Sequence, residues 1–139
     1  MSRLLRVEGV NFDFQGHWVL RHATFDLEEG SCSAMIGTNG SGKTTLLRIA
    51  AGVLRPASGS VHLRGRPMGA LPLKEIARTI ALVPQQLELP FDFTVQQVVE
   101  QGRTPYIGML RGPGRTDRIA VDRALTEAVR RGARSARRS

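Results

Sequence analysis

The chain has 139 residues, a formal net charge of +8, one cysteine and few aromatic residues. That length points to one domain; the lone Cys32 excludes a disulfide framework, and its place in an apolar segment predicts a buried free thiol in a reducing compartment. No apolar run approaches a membrane span, and MSRLLRVEGV lacks the apolar stretch and cleavage site of a secretory signal.

Arg3 to Phe14 alternates apolar residues (Leu5, Val7, Val10, Phe12) and reads as a strand. Trp18 to Leu20 and Ala23 to Leu27 read as two more, so the chain opens with antiparallel β structure. Ser31 to Ile36, SCSAMI, reads as a short buried strand. A Gly-rich turn follows, then a helix over Lys43 to Ala51, with Gly52 past its end and Pro56 beyond. Gly59 to Leu63 is expected as a strand. Pro72 to Arg78 reads as a helix with proline in its first turn. Ile80 to Val83 is apolar and β-rich. Thr94 and Gln97 form a capping-box pair that opens a helix, whose apolar face is Val95, Val98 and Val99 and whose end is Gly102. Gly108 to Gly114 is expected as loop. Asp117 to Val129 is amphipathic, with Val121, Ala124, Leu125 and Ala128 on one side.

Five arginines, Arg130, Arg131, Arg134, Arg137 and Arg138, stand in the last ten residues without an acid. They account for five of the eight net charges, so the basic character is mostly a tail rather than a nucleic-acid-binding face. RRGARSARRS contains only Arg, Gly, Ala and Ser. It is expected to be disordered, and its GC-rich codons suggest a reading-frame change after Val129, with a natural basic tail as the alternative. Translating the downstream DNA in the other frames separates the two. His17, His22 and His62 lack metal-ligand spacing, and Trp18 and Tyr106 read as packing residues.

The most informative segment is Gly37-Thr38-Asn39-Gly40-Ser41-Gly42-Lys43-Thr44-Thr45, which fits the phosphate-loop pattern G-x-x-x-x-G-K-[ST]. Glycines let successive backbone N–H groups turn toward one anion. Lys43 supplies a compact positive charge for outer phosphates, and Thr44 a hydroxyl for Mg²⁺. The following helix aims its positive end at the same place. A strand, a Gly-rich turn and a helix is the order this chemistry requires.

With these segments in view, Leu4 to about Val129 resembles the ATP-binding subunit of an ABC transporter. VNFDFQGHWVL matches the stretch where that family stacks an aromatic ring on adenine, which aligns Phe14 with that ring. IGTNGSGKTTLLRIAAGVLRPASGSVHLRG matches the phosphate loop and the run after it. IALVPQQ places Gln85 at the family's glutamine loop, where an amide reaches Mg²⁺ and the attacking water. PFDFTVQQVVEQGRTPY resembles importer ATPases for iron-siderophore complexes, haem or cobalamin.

The resemblance implies an α/β P-loop NTPase fold of ABC ATPase type. It would hold an antiparallel β subdomain, a partial RecA-like core and the start of a helical subdomain, over residues 1–129. It implies ATP and Mg²⁺ as ligands. Its expected partners are transmembrane permease subunits and a second ATP-binding subunit, with no nucleic acid, on the cytoplasmic face of the membrane. The family also needs an LSGGQ-type signature, an apolar strand ending in Asp-Glu and a later histidine, and this sequence contains none of the three. Lys43 and Gln85 are therefore contributing residues of an incomplete catalytic set. Negligible hydrolysis by the chain alone is expected, along with marginal solubility from uncovered apolar surface. A non-catalytic nucleotide-binding remnant, a soluble ABC ATPase outside transport, and a small kinase or GTPase remain as alternatives.

Overall fold

A computed structural model describes residues 2–85, 92–108 and 112–136, with side chains through 131. Two compact units divide the chain, Met1–Val83 and Pro84–Ser139.

The first unit is built on an antiparallel hairpin. β1 (Arg3–Phe14) and β2 (His17–Glu28) are joined by Gln15 and Gly16, both at positive φ. A two-residue turn of that kind matches the natural twist of paired strands. The two strands expected between Trp18 and Leu27 are one. The interruption is a bulge at His22, whose φ is 51°, between the pairs Val10–Ala23 and Phe12–Leu20. Asn11 repairs the ladder there: its Oδ1 accepts from His22 N at 2.8 Å and its Nδ2 donates to Gly9 O at 3.1 Å. A bulge displaces backbone groups from their partners, and a short amide side chain can serve both a donor and an acceptor.

β3 (Ser58–Leu63) pairs with the free side of β1, and the short β4 (Arg66–Pro67) pairs with β3, giving the order β2-β1-β3-β4, all antiparallel. One face of this sheet presents Leu5, Val7, Val10, Leu20, Val61 and Leu63 to the core. Against them pack Leu46, Ile49 and Ala50 of α1 (Lys43–Ala50), Met68 and Leu71 around a 3-10 turn (Met68–Ala70), and Ile76 of α2 (Leu73–Thr79). Burying one apolar face of a sheet under helices is what makes the hairpin stable beyond its turn. α1 ends as expected: Gly52 N donates to Ile49 O and Val53 N to Arg48 O, the paired bonds of a Schellman motif.

Two expectations fail in this unit. Residues 31–36 have no regular secondary structure and are exposed, Ile36 by 93%, and Cys32 is exposed rather than buried. Ile80 packs on the core, but residues 81–83 form no strand and Val83 is 89% exposed. Both segments are apolar enough for buried strands. A strand also needs a neighbour to complete its ladder, and among the described residues neither segment pairs with a strand of the sheet.

In the second unit, α3 (Val95–Gln101) carries the expected capping box: Gln97 N donates to Thr94 Oγ1 at 3.2 Å and Thr94 N to Gln97 Oε1 at 2.8 Å. α4 (Arg115–Ala136) starts two residues earlier than expected and stays helical through Ala136, well into the segment expected to be disordered. Arg and Ala are strong helix formers, so the tail composition extends the helix rather than ending it. Asp117, in the first turn of α4, accepts from Gly114 N at 2.9 Å and from Arg103 Nε at 2.9 Å. Arg103 also lies over the Tyr106 ring at 4.0 Å. Of the expected apolar face, Val121 is buried and Leu125 half-buried, while Ala124 and Ala128 are exposed. Residues 109–111 of the expected loop and 137–139 of the tail lie outside the described residues.

Candidate functional site

Residues 37–45 run from the irregular segment after β2 into the first turn of α1. Ser41 N donates to Thr38 O at 3.3 Å, which curls the loop, and Leu46 N donates to Gly42 O at 2.8 Å, the first bond of the helix. No side chain caps α1 and no acid stands in its first turn. The first amides of a helix have no acceptor within it and carry its positive end. They are therefore left for a ligand to satisfy.

The glycines are explained by contact. Gly42 sits at φ 85°, in the left-handed region, and a Cβ there would lie 2.7 Å from Leu20 Cδ2 and 2.9 Å from Val19 O. The end of the loop is thus seated against β2. A Cβ on Gly37 would lie 2.9 Å from Ser41 Oγ, so the two limbs of the loop approach closely. Gly40 also adopts positive φ.

Lys43 folds back along this curl. Its Nζ donates to Gly37 O at 2.8 Å, to Thr38 O at 2.6 Å and more weakly to Ser41 Oγ at 3.4 Å. The three acceptors hold the ammonium beside the loop's own backbone. Leu46 is buried in the core, which fixes the phase of α1 and with it the directions of Lys43 and Thr44. Thr38, Asn39, Ser41 and Thr44 are exposed, and Thr45 is half-buried. Between Glu29 and Glu75 the sequence contains no acid. A helix start without a cap, one lysine and no acid in the flanking sequence suit a polyphosphate, so the residues present fit that ligand.

Phe14 ends β1 at the hairpin tip, opposite His17, and is 63% exposed, which leaves a ring face open to solvent. It shares the hairpin whose second strand backs Gly42. The structure therefore brings Phe14's hairpin and residues 37–45 together in one unit. Gln85 is exposed and belongs to the other unit. Among the described residues no group of three or more His, Cys, Asp or Glu could hold a metal ion. The sequence reading missed Val19 and Leu20 as the seat of the loop. The contact joins residues over twenty positions apart, and no short motif marks it.

Comparison with known proteins adds to this geometry. The family model described as "ABC transporter" matches residues 20–137. A probable siderophore transport system ATP-binding protein, YusV, of Bacillus subtilis is 41% identical over 107 residues, 77% of this chain and 39% of that protein. A hemin import ATP-binding protein, HmuV, of Gloeobacter violaceus is 38% identical over 109 residues, 78% of this chain and 40% of that protein. A solved metal-chelate type ABC transporter in an inward-facing conformation superposes with a TM-score of 0.62 at 29% identity, covering 84% of this chain and 41% of that one. The chain thus spans less than half the length of the relatives it matches.

Proposed function

The chain belongs to the ABC transporter family, and from that premise we propose that residues 37–45 hold the phosphates of Mg-ATP in the energy-coupling subunit of an importer. The observation that carries this reading is the fit of the loop: an uncapped helix start, the left-handed Gly42 seated on β2, and the Lys43 ammonium held by the loop's own carbonyls. In this reading Lys43 meets the outer phosphates, Thr44 and Gln85 reach Mg²⁺, and Phe14 stacks on adenine. Mg²⁺, when bound, neutralises charge on the outer phosphates. The relatives named for siderophore and hemin transport support cargo of the iron-siderophore, haem or cobalamin kind. Permease subunits and a second ATP-binding subunit are the proposed partners, at the cytoplasmic face of the membrane. Among the described residues no helix is long and apolar enough to cross a membrane, which suits attachment through such partners.

A second reading, binding without turnover, is favoured by the residue set: Lys43, Thr44 and Gln85 are present, with no Asp-Glu strand end or signature in the 139 residues. Positioning groups alone do not supply phosphoryl transfer. Both readings are tested together. Titration with Mg-ATP, followed through Trp18, the one tryptophan, should saturate. Lys43→Ala should weaken binding tenfold or more, since hydrogen bonds to a charged group contribute about 1.5–3 kcal/mol. Unchanged affinity in that variant would refute nucleotide binding at the loop. Phosphate release by the wild-type chain alone should not rise above the buffer rate, and turnover at the rate of longer relatives would refute binding without hydrolysis.

A further inference from the structure

We propose that the exposed side of α4 docks on an anionic phospholipid surface, through a row of arginines with one apolar residue among them. The row follows from helix geometry. Val121 of α4 is buried and lines one cleft with Gln96 and Glu100 of α3. With about 3.6 residues per turn, Arg115, Ile119, Arg123, Thr126 and Arg130 fall on the other side of the helix. All of them are exposed, Ile119 by 57%.

The carboxylates of α4 do not neutralise this row. Asp117 is held by Arg103 at 2.9 Å and Glu127 by Arg131 at 2.9 Å. Among the described residues Arg115, Arg118, Arg123 and Arg130 enter no ion pair, and Asp122 is the one carboxylate of α4 left to oppose them. The helix therefore carries a surplus of positive charge that nothing on it satisfies. A straight helix also spreads that charge out: Arg115 and Arg130 stand about 22 Å apart along the axis, farther than one phosphate bridges. The row suits an extended array of anions rather than a single ion.

A nucleic-acid backbone and a layer of lipid headgroups are both such arrays, and Ile119 decides between them. It sits one turn from both Arg115 and Arg123, so a surface that meets those arginines meets it too. A phosphate backbone offers an apolar side chain nothing. A bilayer has acyl chains beneath its headgroups, where the isoleucine gains by transfer while the arginines stay at headgroup level. α4 also has no aromatic residue on which a base could stack. The cytoplasmic leaflet is anionic and attracts basic segments; the placing of the chain beside it rests on the importer function proposed above.

The test is flotation of the full chain with phosphatidylcholine vesicles, with and without phosphatidylserine. Flotation is expected only with phosphatidylserine and should fade as salt rises. One basic residue at such a surface changes affinity about fivefold, so Arg115→Gln, Arg123→Gln and Arg130→Gln together should weaken binding on the order of a hundredfold. Ile119→Ser should weaken it about threefold or more at unchanged charge. Lys43→Ala should float as the wild type does while losing Mg-ATP affinity. Circular dichroism checks that the triple variant folds, and Arg123→Gln alone serves in its place if it does not. The proposal is overturned if neutral vesicles float the chain equally well, if the arginine variants or Ile119→Ser bind like the wild type, or if duplex DNA at equal phosphate concentration binds more tightly than the vesicles. Absence of flotation with Mg-ATP binding intact refutes this surface alone; flotation without Mg-ATP binding supports it and refutes the phosphate-loop reading.

Discussion

The seat of the phosphate loop on β2 can be isolated by two alanine substitutions. Gly42 and Gly65 both adopt left-handed backbone, at φ 85° and φ 76°. Alanine at either position bears the conformational cost of that region, about 1–2 kcal/mol. They differ in surroundings. Around Gly65 nothing lies within 4 Å of an added Cβ, whereas at Gly42 the same atom meets Leu20 Cδ2 at 2.7 Å and Val19 O at 2.9 Å. The leucine can rotate, but the carbonyl belongs to the backbone of a paired strand. Overpacking of this kind costs about 1–3 kcal/mol more. Urea unfolding of the two variants should therefore place Gly42→Ala about 1–3 kcal/mol below Gly65→Ala. The strain can also be relieved by lifting the loop from β2. Mg-ATP affinity should then fall in Gly42→Ala and stay at the wild-type value in Gly65→Ala. Equal stabilities and equal affinities in the two variants would refute the claim that contact with β2 holds the loop in place.

Two further outcomes follow from the second unit and the exposed segment. The Gly114 N–H, and then Arg103, hold the Asp117 carboxyl below its ordinary value of 3.8. A depressed carboxyl contributes stability above its unfolded value and loses it as pH falls. Helix content should therefore decline as pH drops below about 3.8, and less so in Asp117→Asn; superimposable acid titrations of the two would contradict this. Cys32 is exposed, so it should react with a disulfide reagent in the native chain as fast as in urea. Protection that disappears only on unfolding would restore the buried thiol expected from the sequence.

What could be read in the sequence depended on where each residue's partner stands. Thr94 and Gln97 satisfy one another three residues apart, Gly52 closes α1 onto Arg48 and Ile49, and Gln15-Gly16 turns a hairpin between neighbouring strands. Each is a local bargain between adjacent residues, so each left a mark in the pattern. The phosphate loop is legible for the same reason: its curl and its lysine's acceptors lie within nine residues. SCSAMI and Ile80 to Val83 have equally clear apolar patterns, but an apolar pattern states only that a segment would gain by burial. It does not supply the pairing with a neighbouring strand, and among the described residues neither segment is paired. The same limit explains Arg21-His22, read as a break between strands. The ladder survives there because Asn11, eleven residues away, reaches across the bulge. The seat of Gly42 on Val19 and Leu20 is the functional case of this rule. Motif residues declare what ligand a loop could hold, whereas the residues that keep the loop in shape are chosen by a surface that only folding brings near.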